Sequence, residues 1–171
     1  MNTRKLTIAA LCLTLGLVLP FFTGQIPQIG NALCPMHFPI ILCGFLCGWR
    51  YGLIVGFITP LLRSFIWSMP YLFPNAIAMA FELACYGAAA GILYAHLGRK
   101  LWQIYLALIG AMLAGRIVWG AVMFVLAKAF AVNFSWSIFI TGAFVTAIPG
   151  IIAQLIILPM LVKALQRGGK I

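Results

Sequence analysis

Long apolar runs, separated by short polar or aromatic breaks, follow one another along most of the chain. They lack the alternation of period two that a membrane strand shows, so the pattern predicts helices and excludes a β-barrel. A membrane helix needs about 20 apolar residues, which gives 171 residues room for about six spans with brief connections. The predicted spans are residues 6–22, 37–48, 52–66, 75–96, 101–127 and 137–162.

The second and third predicted spans are short and rich in glycine. Gly44, Gly48, Gly52 and Gly56 recur every four residues, a spacing that lets helix backbones approach each other closely. A single continuous helix would place Arg50 deep in hydrocarbon, at a high cost in free energy. We therefore predict two short helices that turn near Arg50, where flanking aromatic residues suit the membrane interface.

Two uncharged loops rich in proline are candidates for a functional role. Residues 23–36 form a connection too long for a tight turn, and loops of this length are usually functional or disordered. Because the segment is apolar, we expect it to fold over the membrane face as a lid. Residues 67–74 form a second loop, which is aromatic and broken by prolines.

Composition and charge place the whole chain, residues 1–171, in the lipid bilayer as one membrane domain. Hydrophobic residues make up 65% of it and charged residues 7%, whereas a soluble domain carries about 25% charged residues. The net charge is +10, but the basic residues are scattered between apolar runs, which argues against a nucleic-acid partner. With the N-terminus inside, the outer half keeps only Arg63, Arg116 and Lys128. The positive-inside rule therefore predicts six spans with both termini in the cytoplasm.

Ionisable residues inside a bilayer are costly and are functional candidates by default. Four qualify, namely Arg63, Glu82, Arg116 and Lys128. From a rise of about 1.5 Å per helical residue, Glu82 and Arg116 are predicted to differ in depth within the membrane by roughly 6 Å. Two compatible hypotheses follow. The two residues form a structural ion pair, or the outer half holds a polar cavity whose surplus of cations favours an anionic or carboxylate-bearing ligand.

Polar and aromatic side chains near the predicted outer ends complete the set of candidate substrate-binding residues. His37, which opens the second span, is also typical of an interfacial cap. Gln154 is a further hydrogen-bonding candidate. The remaining members are Asn31, Trp67, Tyr71, Asn75, Tyr86, Trp119 and Asn133.

Catalytic and metal chemistry find little support in the sequence. Glu82 is the single carboxylate side chain, so no acid/base pair is possible within the chain, and no P-loop or HExxH motif occurs. We predict that the chain is not an enzyme and holds no cofactor or metal. The five cysteines form an odd set and are interpreted as buried thiols that act as small hydrophobic residues. The first apolar run is interpreted as a retained helix rather than a signal peptide.

Residues 34–94 resemble the substrate-binding S components of energy-coupling factor (ECF) transporters. The resemblance rests on the His37-x-Pro39 start, the glycine series and the Pro70–Pro74 loop that leads into AIAMAFELACYG. With the predicted topology it covers nearly the whole chain, and it points to the vitamin-type branch. The chain begins Met1-Asn2 rather than with the Met-His terminus of the nickel and cobalt branch, which disfavours metal transport.

The resemblance implies a multi-pass S component in the plasma membrane of a prokaryote. Such a protein captures a micronutrient from outside and docks on a transmembrane coupling (T) subunit with two cytoplasmic ATPases, which use ATP. The docking face on the first helix often shows Ala-x-x-x-Ala in this family. Here Leu13 and Thr14 stand where the second alanine would follow Ala9 or Ala10, so the chain departs from this pattern and the resemblance does not define its docking contacts.

The expected ligand is a small water-soluble vitamin or a precursor. The surplus of outer cations favours a carboxylate-bearing compound such as pantothenate, while riboflavin, a pyridoxine-like compound and a deazapurine stay open. The main alternative is a small membrane scaffold or assembly protein without a transported ligand, whose glycines serve only helix packing. A membrane-bound enzyme is the third hypothesis.

Overall fold

The computed structural model describes residues 3–23, 33–130, 135–141 and 145–167, which are mainly helical and contain no strand. A 3₁₀ turn over Leu19–Thr23 extends the first helix, and a π-helical turn over Leu72–Ala76 precedes the fourth. The helices are α1 Thr3–Val18, α2 His37–Cys47, α3 Trp49–Trp67, α4 Ile77–Leu97, α5 Leu101–Phe130, α6 Trp136–Ile140 and α7 Ile148–Arg167.

Among the described residues, four helical segments are long and apolar enough to cross a membrane. Helix α2 is apolar but shorter, and α3 carries two arginines in its 19 residues. The all-α membrane class is therefore confirmed, while six spans and the orientation of the termini stay predictions. The four segments are Thr3–Phe22, Leu72–Leu97, Leu101–Phe130 and Ile148–Arg167.

The last predicted span, residues 137–162, is wrong as a single helix. Helix α6 ends at Ile140, and α7 begins at Ile148 and continues to Arg167. Pro149 lies in the first turn of α7, where its missing N–H has no intrahelical acceptor to lose. A proline that was expected inside a helix therefore stands at the start of one.

The prediction of two helices around Arg50 is confirmed. Helix α2 ends at Cys47 and α3 begins at Trp49, and between them Gly48 has φ +94°. Glycine adopts this conformation without the steric cost that a Cβ would bring. Arg50 lies exposed in the first turn of α3, with its guanidinium carbon 5.3 Å from the centroid of the Trp49 ring.

Helix α4 occupies the centre of the bundle, where it packs against α2, α3 and α5. Its span is 56% buried, against 22%, 33% and 28% for the other three candidate spans. Glycines make this packing close. A Cβ on Gly52 would lie 2.5 Å from the carbonyl oxygen of Gly87 and 3.0 Å from the Cα of Gly44, and Gly91 lies against the backbone of Trp49.

Gly87→Ala is expected to destabilise the fold by about 1–3 kcal/mol, the usual cost of overpacking a tight contact. The added Cβ would meet backbone atoms of Gly52, including its Cα at 2.8 Å, and backbone cannot move aside as a side chain can. Gly110→Ala is the matched control, because its Cβ would meet only the Cδ1 atom of Leu93. Thermal unfolding of the purified chain measures both, and equal destabilisation would contradict the role given to the α3–α4 contact.

Most of the predicted lid falls on residues 24–32, which lie outside the described residues. At its far end, Cys34 has φ +48° and accepts a hydrogen bond from the backbone N–H of His37 through its carbonyl oxygen, at 3.0 Å. This turn directs the chain into α2. It also brings the side chains of Cys34 and His37 to the face of α4.

Candidate functional site

A buried ion pair joins α4 to α5. The Nη1 of Arg116 donates a hydrogen bond to Glu82 Oε1 at 2.8 Å, and the Glu82 side chain is 2% exposed. Glu82 lies in the second turn of α4, and Arg116 lies in the middle of α5, as their predicted depths require. The contact expected from the ion-pair hypothesis is therefore present.

His37 and Cys34 approach this pair from the start of α2. His37 Nε2 lies 3.5 Å from Glu82 Oε1, without hydrogen-bond geometry. The Nη2 of Arg116 donates to the Sγ of Cys34 at 3.7 Å. Burial raises the pKa of the Cys34 thiol, so the sulfur is present as a neutral acceptor.

Tyr86 completes the group, which we call the Glu82 cluster: Cys34, His37, Glu82, Tyr86 and Arg116. Tyr86 follows Glu82 by one helical turn, so both side chains share a face of α4. Its ring meets the His37 ring edge-on, with centroids 4.9 Å apart and an interplanar angle of 84°. The space for the Tyr86 ring comes from Gly115 on α5, whose added Cβ would lie 2.5 Å from Tyr86 Cε2.

Hydrogen-bonding atoms without a protein partner mark the cluster as a candidate binding site. Within the described part of the chain, both ring nitrogens of His37 and the Nε of Arg116 are buried and have no hydrogen-bond partner. The Oε1 of Gln154 on α7 is a further such atom. Each buried polar atom left unsatisfied costs about 1–3 kcal/mol. Their number calls for an explanation, and a polar ligand would provide one.

Arg63 and Trp67, both predicted as substrate-binding residues, lie in a different set of contacts. Arg63 is 3% exposed and donates from Nη1 to the carbonyl oxygen of Leu17 at 2.7 Å. Its guanidinium carbon lies 5.1 Å from the centroid of the Phe21 ring and 5.7 Å from that of Trp67. These contacts fasten the end of α1 to the end of α3.

The other predicted residues lie apart from the contacts of the Glu82 cluster. Lys128 is exposed, with its Nζ 5.5 Å from the centroid of Phe124. Trp119 stacks on Phe139, with centroids 6.0 Å apart. Tyr71 is exposed directly before the π-helical turn, and Asn75 is exposed within it. Asn31 and Asn133 lie outside the described residues.

Two members of this region were not predicted as site residues. Cys34 was interpreted as a buried hydrophobic thiol, although its place three residues before His37 puts both in one turn. Gly115 immediately precedes Arg116 and leaves the space that the Tyr86 ring fills. The sequence feature that could have identified Gly115 is a small residue directly before an arginine inside a membrane helix.

The fold and the cluster define a helical membrane protein with a buried polar centre near one end of its central helix. The chain matches the family described as "ECF transporter, substrate-specific component" over residues 4–162. Because this match covers most of the 171 residues, the chain belongs to that family. No curated protein and no solved structure matches the chain.

Membership assigns the chain a general role. Substrate-specific components bind the transported compound and are not themselves enzymes. Membership also implies interaction with a substrate, with a T subunit and with ATPase subunits. The resemblance to S components is thereby confirmed at the level of the family, and the vitamin-type branch stays a prediction.

Proposed function

We propose that the chain captures a small water-soluble vitamin or a related micronutrient from outside a prokaryotic cell and binds it at the Glu82 cluster. Both termini lie in the cytoplasm, and the compound is delivered inward with a T subunit and two ATPases that use ATP. The observation that carries this proposal is the set of buried ring nitrogens of His37 and the Nε of Arg116, which have no protein partner among the described residues.

Within the cluster, the ion pair and the unpartnered atoms have separate roles. Glu82 holds the guanidinium of Arg116 through Nη1 and neutralises its charge. This fixes the Nε–H of Arg116, which is left to donate to a ligand oxygen or nitrogen. The two ring nitrogens of His37 can donate hydrogen bonds, and in the neutral imidazole one of them accepts instead. The ligand is therefore a compact molecule with both donors and acceptors.

Fewer outer cations are available to favour a carboxylate-bearing ligand such as pantothenate than the charge count alone suggests. Of the three outer cations, Arg116 is paired with Glu82 and Arg63 is bound to the Leu17 carbonyl oxygen. Lys128 is left as an exposed cation. Pantothenate stays a candidate if its carboxylate reaches Lys128, and an uncharged ring compound suits a cluster in which Glu82 already balances the charge of Arg116.

Native mass spectrometry of the purified chain is expected to show one vitamin-sized compound per chain. An S component binds its substrate tightly without partners, so the compound survives purification and is identified after release from the unfolded protein. The His37→Phe variant tests the site itself. It keeps an aromatic ring against Tyr86 but loses both ring nitrogens, so it should retain less of the compound. An empty wild-type chain that no vitamin in a panel stabilises against heat would instead support the scaffold hypothesis.

A further inference from the structure

Gln154 on α7 carries a polar group that the described part of the protein does not use. Its side chain is 2% exposed, and its Oε1 is buried without a hydrogen-bond partner among the described residues. Burying a carbonyl group without a hydrogen bond is costly, whereas an apolar side chain of similar size would carry no such cost. A partner from outside the chain would account for a glutamine at this position.

The buried face of α7 directs Gln154 towards the helices of the Glu82 cluster. The buried positions of this face recur every four residues, as expected for one side of a helix. They are Gly150, Gln154, Leu158 and Val162. Helix α7 packs against α2 and α5, which carry His37 and Arg116. The buried ring nitrogens of His37 and the Nε of Arg116 likewise have no hydrogen-bond partner in the described part of the chain.

A hydrogen bond at the far end of α7 defines the level of Gln154 along the bundle. Gln166 Nε2 donates to the Tyr94 hydroxyl at 2.7 Å, which joins the last turn of α7 to the last turn of α4. The two helices therefore run in the same direction. Gln154 precedes Gln166 by twelve residues, and Glu82 precedes Tyr94 by twelve. Each lies about 18 Å from this contact along its own helix, so Gln154 and Glu82 are at a similar level.

Three helices thus bring unpartnered polar atoms to one level of the bundle. The Nε–H of Arg116 can only donate a hydrogen bond, and the Oε1 of Gln154 can only accept one. A ligand that satisfies both therefore carries an acceptor and a donor. Since Glu82 already balances the charge of Arg116 and Gln154 is uncharged, an uncharged ligand group suits this position.

We propose that Gln154 binds the substrate and selects an uncharged nitrogen heterocycle that contains a ring amide, or lactam. The lactam N–H donates to Gln154 Oε1, and an oxygen or nitrogen atom of the same ring system accepts from Arg116 Nε–H. A ring holds its donor and acceptor in fixed directions and loses less conformational freedom on binding than an open chain does.

This inference rests on the proposed function, because it names the chemistry of the compound bound at the Glu82 cluster. It also divides the candidate ligands. Riboflavin and 7-deazaguanine each contain a ring lactam. Pantothenate has an open-chain amide and a carboxylate, and pyridoxine has no amide.

Thermal stabilisation of the full chain in detergent tests the selection with these four compounds as probes. Riboflavin or 7-deazaguanine is expected to stabilise the chain. The matching N-methylated lactam, N3-methylriboflavin or 1-methyl-7-deazaguanine, should bind at least about tenfold more weakly, because the methyl group removes the donor. Stabilisation by pantothenate or pyridoxine and by neither lactam would overturn the inference while the proposed function stands. Stabilisation by none of the four, with a chain that is empty in native mass spectrometry, would overturn both.

Gln154→Met separates substrate binding from a structural role. The melting temperature of the ligand-free variant should stay the same or rise, because no unsatisfied carbonyl is left buried. Its affinity for the stabilising lactam should fall about tenfold. Gln166→Met is the matched control on the same helix, since it loses the bond to Tyr94 and should lower the melting temperature without a change in affinity. A lower melting temperature in Gln154→Met with unchanged affinity would overturn the proposal and make Gln154 a structural residue.

Discussion

Arg116→Met is expected to destabilise the fold by about 3–5 kcal/mol, the typical cost of removing one partner of a buried ion pair. Glu82 would lose its 2.8 Å donor while it stays buried, and its charge would then have no full counter-charge nearby. Methionine keeps most of the length of the side chain, so the loss reports on charge rather than volume. Unfolding of the chain in detergent micelles, followed by circular dichroism, measures the change.

The double variant Glu82→Gln/Arg116→Met is expected to recover most of this stability, because no charge is left without a partner. The two hypotheses for the pair then separate. If the cluster binds the substrate, the recovered double variant still loses affinity, since the Nε donor is gone. If the pair only braces the helices, the double variant binds as the wild type does.

Lys128→Met is the control for a general charge effect. Lys128 is exposed and lies over the Phe124 ring, so its removal should change stability by no more than about 0.5 kcal/mol. A loss comparable to that of Arg116→Met would contradict the importance assigned to the buried pair. A loss of affinity in Lys128→Met alone would instead favour a carboxylate-bearing ligand that reaches Lys128.

Arg63→Met is expected to cost about 2.5–5 kcal/mol, the sum of one charge-assisted hydrogen bond and two cation–π contacts. The variant would leave the carbonyl oxygen of Leu17 without the donor that now lies 2.7 Å away. The rings of Phe21 and Trp67, whose centroids are 5.1 Å apart, would also lose the guanidinium beside them. Hydrogen exchange should then rise at the C-terminal end of α1.

Arg50→Met provides the comparison on the same helix. Arg50 also lies over an aromatic ring, but it is exposed, so the expected loss is no more than about 1 kcal/mol. Equal losses in the two variants would show that the contact with Leu17 adds nothing. Loss of ligand affinity in Arg63→Met without a change in stability would restore Arg63 to the binding site.

The sequence predicts the class of protein and the central contact because both depend on scarce residues. A chain with one carboxylate and few intramembrane cations leaves few possible ion pairs, and depth along the helices selects Glu82 with Arg116. The turn at Gly48 is predictable for a similar reason, since a continuous helix would bury Arg50. In each case one residue whose charge is costly to bury in the membrane limits the number of possible structures.

Contacts that involve the backbone, or a turn between helices, are harder to predict. Arg63 is held by the carbonyl oxygen of Leu17, 46 residues earlier, and any residue type carries such an acceptor. Cys34 enters the cluster because of a turn with φ +48°, which hydropathy does not reveal. The break between α6 and α7 also escapes prediction, because the apolar run continues through it and Pro149 fits either the interior or the start of a membrane helix.

Nitrogen NMR of the chain with isotope-labelled histidine tests the central claim most directly. The chain has two histidines, of which His37 belongs to the Glu82 cluster and His96 lies exposed near the far end of α4. On addition of the compound released from the purified protein, the ring-nitrogen resonances of His37 should shift, because they gain hydrogen-bond partners, and those of His96 should stay in place. Saturable binding of one compound per chain with no change at His37 would contradict the claim that the Glu82 cluster is the substrate site.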